Sequence, residues 1–451
     1  MFKQLRRPVT LLSVGVLTFG MASTGLLASS ATAASSTPGV TAKTVTIGAT
    51  VPLSGVAASY APVSAAANAV FQYINKHHGI NGRTIKYIRL DDCYDLAAYG
   101  LGCTAGASVT TLSQTQTLVA QDHVLATVGS LGTAAQDSVL SYLKQNGVPQ
   151  LFVNSGSKDW NQPAKYPALF GFQTGYQAEG KIFARYIKTH YAGKTVGFIG
   201  QNDDFGTDGL AGLLAGGVQI AKGDQLTYNA ADAITGSSSD IVVDVKTLQS
   251  DNAQVVVLDS VPGFTAGILA VAHQLGFSPQ WVISSVGSDP TSVNSPLEAG
   301  AISLDYFPAS NNNHNPWIPW VRKVLLADKT DFPTFTAHSV ITGNMLYGAG
   351  YAVAFAEALK NAGRNVTRAG LVKAMLKTKF ATPAITPLSY NGSNHQGLQG
   401  GLIAIVAANG TSAPTQVFEP NNTVFTVGSN LNAPIHVTNT LTVSPIPAWL
   451  K

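Results

Sequence analysis

The chain has 451 residues, of which 45% are hydrophobic and 11% are charged, and its formal net charge at pH 7 is +4. Three of these positive charges, Lys3, Arg6 and Arg7, lie at the N-terminus, so the rest of the chain carries about +1. This balance argues against nucleic acids and polyanionic surfaces as partners. Without the N-terminal segment roughly 420 residues remain, which is too long for one ordinary core and predicts two domains.

The N-terminus has the pattern of a secretory signal peptide. The three basic residues precede a mostly apolar stretch, residues 9–27, and Ala31-Thr32-Ala33 forms a small-residue cleavage site. The sequence therefore predicts a signal peptide over residues 1–33 and a linker over 34–42. An uncut signal anchor is the alternative, but the Ser/Thr/Pro-rich linker favours cleavage. The segment contains no Cys, so we expect an exported protein of the periplasm or cell envelope that is not a lipoprotein.

The only two cysteines, Cys93 and Cys103, are ten positions apart. In an exported chain this spacing predicts a disulfide, which would contribute about 2–3 kcal/mol in the chain-entropy model. The bond would join the loop after a strand to the start of the next helix. A metal site is the weaker interpretation, because two thiols without clustered His make a poor site. We therefore expect no metal and no cofactor.

From residue 44 onward, strands and helices alternate. This alternation predicts a doubly wound α/β lobe. Its predicted strands are 44–49, 84–90, 124–128 and 150–153, and its predicted helices are 61–76, 104–121 and 134–145.

The alternation restarts near residue 180, which predicts a second, similar lobe. Its predicted strands are 195–200, 225–228, 254–259 and 281–284, and its predicted helices are 180–190, one from 207, 239–250 and 262–275. An irregular Asn- and Pro-rich stretch follows over 310–319. After it we predict helices 338–361 and 369–377 and strands 402–407 and 415–419. The last thirty or so residues fit either a β-like tail or a disordered stalk.

The third and fourth predicted strands form one βαβ unit, so their loops, 129–133 and 154–157, should emerge at the same edge of the sheet. Ligands of open α/β sheets bind at that carboxyl edge. Both loops are rich in small and hydroxyl residues, which suit a carboxylate or another small polar anion. The sequence thus predicts a binding site without an evident reactive group.

Motifs of common enzyme classes are missing from the sequence. Gly193-Lys194-Thr195 looks like the end of a phosphate loop, but Lys188 stands where that motif needs its first Gly, and a strand follows it. Neither a Gly-x-Ser-x-Gly elbow nor a His-Glu-x-x-His motif occurs. We therefore expect a protein that is not an enzyme.

Six different short motifs occur one after another along the two predicted lobes. They are Ile47-Gly48 with Pro52-Leu53-Ser54-Gly55, Gly79-Ile80-Asn81-Gly82, Asp91-Asp92, Gly129 with Thr133, Gly147-Val148-Pro149, and Asp203-Asp204-Phe205-Gly206. Their order and spacing resemble the type I periplasmic substrate-binding proteins, in particular the leucine/isoleucine/valine-binding branch of ABC importers. The resemblance covers roughly residues 45–417.

The resemblance implies two Rossmann-like lobes joined by a three-strand hinge, a Venus-flytrap that closes on its ligand. Lobe 1 would take residues 43–170 plus 305–380, lobe 2 would take 171–304 plus 381–425, and a C-terminal tail would take 426–451. It further implies a solute-binding protein that hands an amino acid, carboxylate or amide to ABC permease subunits. We expect it to be a monomer. The alternative is the ligand-binding sensor module of a signalling system, because the same fold serves receptors.

The resemblance also assigns candidate ligand-binding residues where the motifs match. Thr133 and the segment Ser155-Gly156-Ser157 would hold the ligand's carboxylate. Tyr60 would line the side-chain pocket, and Phe205 would face it from lobe 2. The family often has Tyr at the last position, so Phe205 keeps the ring but lacks the hydroxyl.

A second departure concerns the acid that meets an amino acid's ammonium group in lobe 2. The matching loop contains Ser285 and no acid before Asp289. Asp259, at the end of the preceding predicted strand, would be the substitute. The pattern therefore leaves a carboxylate without an amine, or an amide, as plausible a ligand as an amino acid.

Overall fold

The structure is a computed structural model. It describes residues 37–106, 108–230, 232, 239–309, 315–410, 412, 414, 417–418, 423–428, 431–439, 441 and 443–451. The predicted signal peptide and the first residues of the predicted linker lie outside the described residues.

The first sheet has five parallel strands in the order β2-β1-β3-β4-β5. Its strands are β1 (Thr44–Val51), β2 (Thr84–Asp91), β3 (Thr127–Val128), β4 (Gln150–Val153) and β5 (Leu169–Gly171). β3 is shorter than predicted, although Leu125 N still donates to Thr46 O at 2.8 Å and keeps the segment beside β1. β5 was not predicted, because three residues carry too little pattern to identify a strand.

Helix α1 (Ala61–Lys76) has the predicted bounds, whereas the next two predicted helices are wrong in extent. Helix α2 (Thr111–Gln116) begins seven residues later than predicted, where Thr110 caps it, and continues as a π-helical turn. The third predicted helix is broken into α3 (Thr133–Asp137) and α4 (Leu140–Gln145). At the break, the Ser138 hydroxyl donates to the backbone carbonyl of Ala135 at 2.7 Å, as Ser often does near helix ends.

The second sheet has nine strands. Eight of them lie in the order β14-β13-β11-β10-β9-β8-β6-β7, and β12 pairs with β11. Its strands are β6 (Val196–Gln201), β7 (Gln225–Tyr228), β8 (Val255–Asp259), β9 (Gln280–Ile283), β10 (Ile302–Asp305), β11 (Gly400–Val406), β12 (Val417–Phe418), β13 (Val424–Val427) and β14 (Ile435–Thr438). The strands from β7 to β10 pair in parallel, and β11 to β14 add antiparallel pairs.

Five helices belong to this sheet, one before β6 and four between the strands from β6 to β10. They are α5 (Tyr176–His190), α6 (Asp204–Ala215), α7 (Ser239–Ser250), α8 (Pro262–Gln274) and α9 (Pro290–Val293). Most of these bounds are within four residues of the predicted ones. We refer to the first sheet with α1–α4 and the late helices below as lobe 1, and to the second sheet with α5–α9 as lobe 2.

The late helices α10 (Trp317–Ala327), α11 (Gly343–Ala362) and α12 (Arg368–Met375) return to lobe 1. Helix α11 crosses α1 so closely that a Cβ at Gly348 would overlap Val63 O, and Phe71 meets Phe355 edge-to-face at 5.9 Å. Helix α10 was not predicted, because Pro316 and Pro319 resemble loop residues. Both lie at its N-terminus, where Pro is tolerated.

Three chain segments cross side by side between the lobes, after β5, after β10 and before β11. Backbone hydrogen bonds join them, from Leu398 N to Phe172 O and from Ile385 N to Tyr306 O, each at 2.9 Å. The predicted fold class, two doubly wound α/β lobes linked by three crossings, is confirmed. The crossings place the carboxyl ends of the parallel strands on facing sides of a cleft.

The described residues of the C-terminal tail continue lobe 2 and then reach lobe 1. After β14, Trp317 Nε1 donates to Ser444 O at 2.7 Å, Trp320 Nε1 donates to Leu450 O at 3.3 Å, and Leu450 is buried. Of the two interpretations left open by the sequence, the described part is therefore the β-like one. Among the described residues, no helix has the length and apolar character needed to cross a bilayer.

Candidate functional site

A cavity lies in the cleft between the lobes. The wall of the cavity is formed by residues that follow each of the five strands of lobe 1. Residues that follow β6, β9 and β10 complete the wall. Open α/β sheets bind ligands at this carboxyl edge. The lining residues are Tyr60, Val63, Tyr94, Leu131, Gly132, Thr133, Asn154, Gln173, Tyr176, Phe205, Ser285, Val286, Tyr306, Asn344 and Tyr347.

A second cavity adjoins the first and shares four lining residues with it. The shared residues are Ser285, Tyr306, Asn344 and Tyr347. The second cavity is lined by two acidic residues, Asp289 and Asp305. The first is lined by four of the predicted site residues, which are Tyr60, Thr133, Phe205 and Ser285. We therefore take the first cavity as the candidate site.

Three hydroxyl groups meet at one end of the cavity. Thr133 Oγ1 lies 2.8 Å from Ser155 Oγ and 3.4 Å from the Tyr176 hydroxyl, which lies 3.4 Å from Ser155 Oγ. Burial raises the pKa of Tyr176 above its usual value, so its hydroxyl keeps its proton. The cluster can donate hydrogen bonds to an anionic or neutral oxygen without carrying a charge itself.

Tyr60 and Phe205 face the cavity from different lobes. The Tyr60 hydroxyl crosses the cleft and donates to Val286 O at 2.8 Å. Phe205, which follows β6, packs against Tyr176 with 4.6 Å between ring centroids. The structure thus brings these two predicted residues to one cavity with Thr133 and Ser285.

Gly156 and Ser157 do not line this cavity. A Cβ at Gly156 would lie 2.7 Å from the Tyr176 ring, so the glycine lets that ring approach the backbone. Ser157 is fully buried, and its Oγ accepts from Asp159 N at 3.1 Å, which caps a short helical turn. Ser155 lies behind Thr133 as its hydrogen-bond partner.

Asp259 also lies away from the cavity wall. It ends β8 and packs so tightly on α6 that a Cβ at Gly209 would overlap its carboxyl group. Burial, with the nearby charge of Glu179, raises its pKa well above the usual range. Its Oδ2 has no hydrogen-bond partner among the described residues.

Ser285 lines the cavity and is held by Glu179, a residue that the sequence analysis missed. Ser285 N and Oγ donate to the two Glu179 carboxylate oxygens at 2.6 Å and 2.9 Å. Burial raises the pKa of Glu179 to about 7, against the lowering effect of these hydrogen bonds. Glu179 was missed because the helix was predicted to begin at residue 180. An acidic residue in the first turn of α5, just after a crossing between the lobes, was the feature that could have identified it.

Two buried amides on the wall have one half unpaired. Asn154 Nδ2 donates to Gly129 O at 2.9 Å, but its Oδ1 has no partner among the described residues. Gln173 Oε1 accepts from the Tyr347 hydroxyl at 3.0 Å, but its Nε2 has none. The two residues are only 7% and 4% exposed, so these two atoms are buried in the wall without a hydrogen-bond partner.

The predicted disulfide between Cys93 and Cys103 is confirmed, with the Cα atoms 5.7 Å apart. Cys103 does not lie at the start of a helix, as was predicted, because α2 begins only at Thr111. Cys93 and Tyr94 both have positive φ, which turns the chain sharply after β2. This turn brings Tyr94 to the cavity, where its hydroxyl accepts from Gln201 Nε2 of lobe 2 at 3.3 Å.

An ion pair joins the lobes beside the cavity. Lys158 Nζ of lobe 1 donates to Asp204 at 3.2 Å and to Asp208 at 3.0 Å in lobe 2. Lys158 N also donates to Asp208 at 2.9 Å. The Asp208 side chain is only 2% exposed, whereas the Lys158 side chain is 46% exposed, so one partner of this contact is buried and the other reaches solvent.

The chemistry of the wall is that of a binding site. Among the described residues that line the first cavity there is no acidic, basic or imidazole side chain. Hydroxyls, amides and aromatic rings remain. These groups orient a ligand by hydrogen bonds and stacking.

A model of the periplasmic binding protein family matches residues 44–411 of this chain. No curated protein sequence matches it.

Solved structures share the fold at low sequence identity. A possible leucine/isoleucine/valine-binding protein from Rhodopirellula baltica is 19% identical with a TM-score of 0.69, covering 85% of this chain and 98% of its own. A branched-chain amino acid ABC transporter protein from Thermus thermophilus with bound valine is 18% identical with a TM-score of 0.66, covering 84% and 97%. A solute-binding protein of an ABC transporter from Rhodopseudomonas palustris, in complex with 3,4-dihydroxybenzoic acid, is 17% identical with a TM-score of 0.63, covering 83% and 97%.

Proposed function

Because the chain belongs to the periplasmic binding protein family, we propose that it is an exported solute-binding protein that delivers a small organic solute to an ABC importer. Members of this family bind small molecules and work with ABC permeases. The observation that carries the proposal is the cavity between the lobes, whose wall comes from both lobes and consists mainly of hydroxyl, amide and aromatic side chains. We further propose the lobe boundaries 43–170 plus 305–380 and 171–304 plus 381–425.

In this proposal the ligand acts by population shift. It contacts hydroxyls of lobe 1 and the Ser285 loop of lobe 2, and these contacts stabilise the closed state over the open one. Valine and 3,4-dihydroxybenzoic acid, the ligands of two structural relatives, both carry a carboxylate. A carboxylate, an amino acid or an amide is therefore the ligand class that we assign to this chain. Thr133 would hold the acid, and Ser155 would orient the Thr133 hydroxyl from behind.

Replacing Thr133 tests this grip. Thr133→Val removes a hydroxyl of the cluster with little change in volume, and we expect the affinity for the ligand found by thermal-shift screening to fall about tenfold. Thr189→Val is the matched control, since Thr189 Oγ1 bonds only within an exposed helix end, to Arg185 O at 2.9 Å. Calorimetric titration of both variants makes the comparison. Equal affinities would remove Thr133 from the site.

The export and transport parts of the proposal need their own measurements. Mass spectrometry of the mature protein should find an N-terminus just after Ala33, in the exported fraction. The liganded protein should stimulate ATP hydrolysis by an ABC permease and ATPase from the same organism when they are reconstituted with it. Stimulation of a signalling kinase instead would support the sensor module, and the importer assignment would then be wrong.

A further inference from the structure

The last nine residues of the chain, 443–451, connect the lobes in addition to the three crossings, and we call them the tail strap. The strand before them, β14, pairs with β13 over four residues in the sheet of lobe 2. The strap itself lies on α10 of lobe 1. It follows residue 411, where the match to the family model ends. The strap is therefore an addition to the matched two-lobe fold.

The strap's origin is fixed to lobe 2. Lys181 of α5, which is only 7% exposed, donates to Leu431 O at 2.8 Å and to Ala433 O in the loop between β13 and β14. On the neighbouring strand, the Phe425 and Val427 side chains are buried in the core of lobe 2. β14 must consequently move with lobe 2.

The strap's other end is fixed to lobe 1 by two buried indoles. Trp317 Nε1 donates to Ser444 O at 2.7 Å, and Trp320 Nε1 donates to Leu450 O at 3.3 Å. A buried indole N–H needs such a partner, so these bonds select one seat for the strap. The Leu450 side chain is 3% exposed and belongs to the same core as the two indoles. Leu450 is thus the anchor of the strap.

The strap is short and stiff between its two attachments. Only residues 439–443 separate β14 from Ser444, and at full extension this stretch spans roughly 20 Å. Pro445 and Pro447 restrict the backbone beyond it, and Pro447 has the φ of −57° and ψ of 140° of a polyproline segment. The length limits how far the two attachments can separate while both stay docked.

We propose that the tail strap is a tether that favours the closed arrangement of the lobes and has to leave α10 when the cleft opens wide. Both of its ends are docked while the Tyr60 hydroxyl of lobe 1 bonds to Val286 O of lobe 2, so the strap contacts and the closed cleft occur together. The inference goes beyond the proposed function, because the strap sets the balance of open and closed forms whichever solute binds.

Spin-label distances across the cleft test the tether without any ligand. The two natural cysteines are bonded to each other, so only introduced cysteines take the label. Ser141→Cys in α4 and Val243→Cys in α7 place one label on an exposed position of each lobe. Double electron–electron resonance then gives the distribution of open and closed forms. Because no ligand is added, a failure here leaves the solute-binding proposal standing.

Two changes to the strap should shift this distribution in the same direction. Leu450→Ala removes the anchor, and we expect the ratio of open to closed forms to rise about tenfold. Six Gly/Ser residues inserted after Leu441 leave every docked residue in place but lengthen the tether, so the ratio should rise as well. Leu214→Ala, at a position of α6 that is 41% exposed, is the matched control and should change nothing.

The insertion separates a tether from ordinary packing. If the distribution shifts only with Leu450→Ala, the strap merely completes the core of lobe 1, and the proposal is wrong. An insertion variant with the parent's distances overturns it equally when Leu450→Ala does not fold. Longer distances in the insertion variant, with the parent's distances kept in Leu214→Ala, support the tether.

Discussion

At the scale of single residues, Glu179 connects the site to pH. Both of its carboxylate oxygens accept hydrogen bonds from Ser285, yet burial raises its pKa from an ordinary 4.5 to about 7. Because the folded state keeps the proton to a higher pH than the unfolded state does, this group's contribution to stability is complete below pH 4.5. It is lost as the pH rises to about 7 and is constant beyond.

The Glu179→Gln variant should therefore lack this dependence. Between pH 4.5 and 7, the free energy of unfolding of the natural protein should fall by roughly 3 kcal/mol relative to the variant. Urea unfolding at several pH values measures the difference, and other raised carboxyls, such as Asp92 and Glu298, cancel because both proteins have them. Parallel pH profiles for the two proteins would contradict the assignment.

At the scale of elements, the disulfide loop is the device that places Tyr94. The loop leaves β2 through consecutive residues of positive φ, and the buried Asp92 carboxylate ties it to Thr111 at the start of α2 at 2.9 Å. The covalent bond to Cys103 restrains this conformation in the folded chain. It also lowers the conformational entropy of the unfolded chain.

Replacing both cysteines should thus change stability and binding together. In Cys93→Ser/Cys103→Ser we expect the free energy of unfolding to fall by about 2–3 kcal/mol and the ligand affinity to fall several-fold as Tyr94 loosens. Denaturant unfolding and calorimetric titration measure the two effects. Tyr94→Phe is the comparison variant, because it retains the ring and the disulfide and loses the hydroxyl that accepts from Gln201. Unchanged binding in the double variant would show that the loop does not position Tyr94.

The elements also show what sequence can predict. Long amphipathic segments such as α1, and strands such as β7, were predicted to the residue because their periodicity is strong. Helix α10 was missed because two prolines conceal its start, and the helix expected from 104 was shortened by the disulfide-bonded segment before it. These are tertiary and covalent effects that local pattern does not contain.

The same limit applies to the site. Thr133, Phe205 and Ser285 follow strands, so the sheet edge made them predictable. Tyr306 also follows a strand, β10, but that strand was not predicted. Tyr347 lies in α11 and reaches the cavity only because the chain returns to lobe 1. The acid Glu179 was lost for a simpler reason, since it lies one residue before the predicted start of its helix.

At the scale of the whole molecule, the ion pair between the half-exposed Lys158 and the buried Asp208 joins the two lobes, and we expect it to favour the closed form. Lys158→Met should leave the Asp208 carboxylate without its cation and shift the unliganded protein toward open conformations. The radius of gyration from small-angle X-ray scattering should rise without ligand, and the apparent affinity should fall by the reduced population of the closed state. Lys76→Met, at the exposed end of α1, should change neither quantity. A Lys158→Met protein as compact as the natural one would show that this pair does not control closure.

The central claim is that a small organic ligand bound between the lobes selects the closed form. Small-angle scattering of the natural protein with and without ligand, alongside Thr133→Val at the same ligand concentration, tests it most directly. We predict that the ligand lowers the radius of gyration and raises the melting temperature of the natural protein, and does both less for the variant. If no amino acid, carboxylate or amide changes either quantity, or if Thr133→Val responds as the natural protein does, the cavity described here is not the binding site.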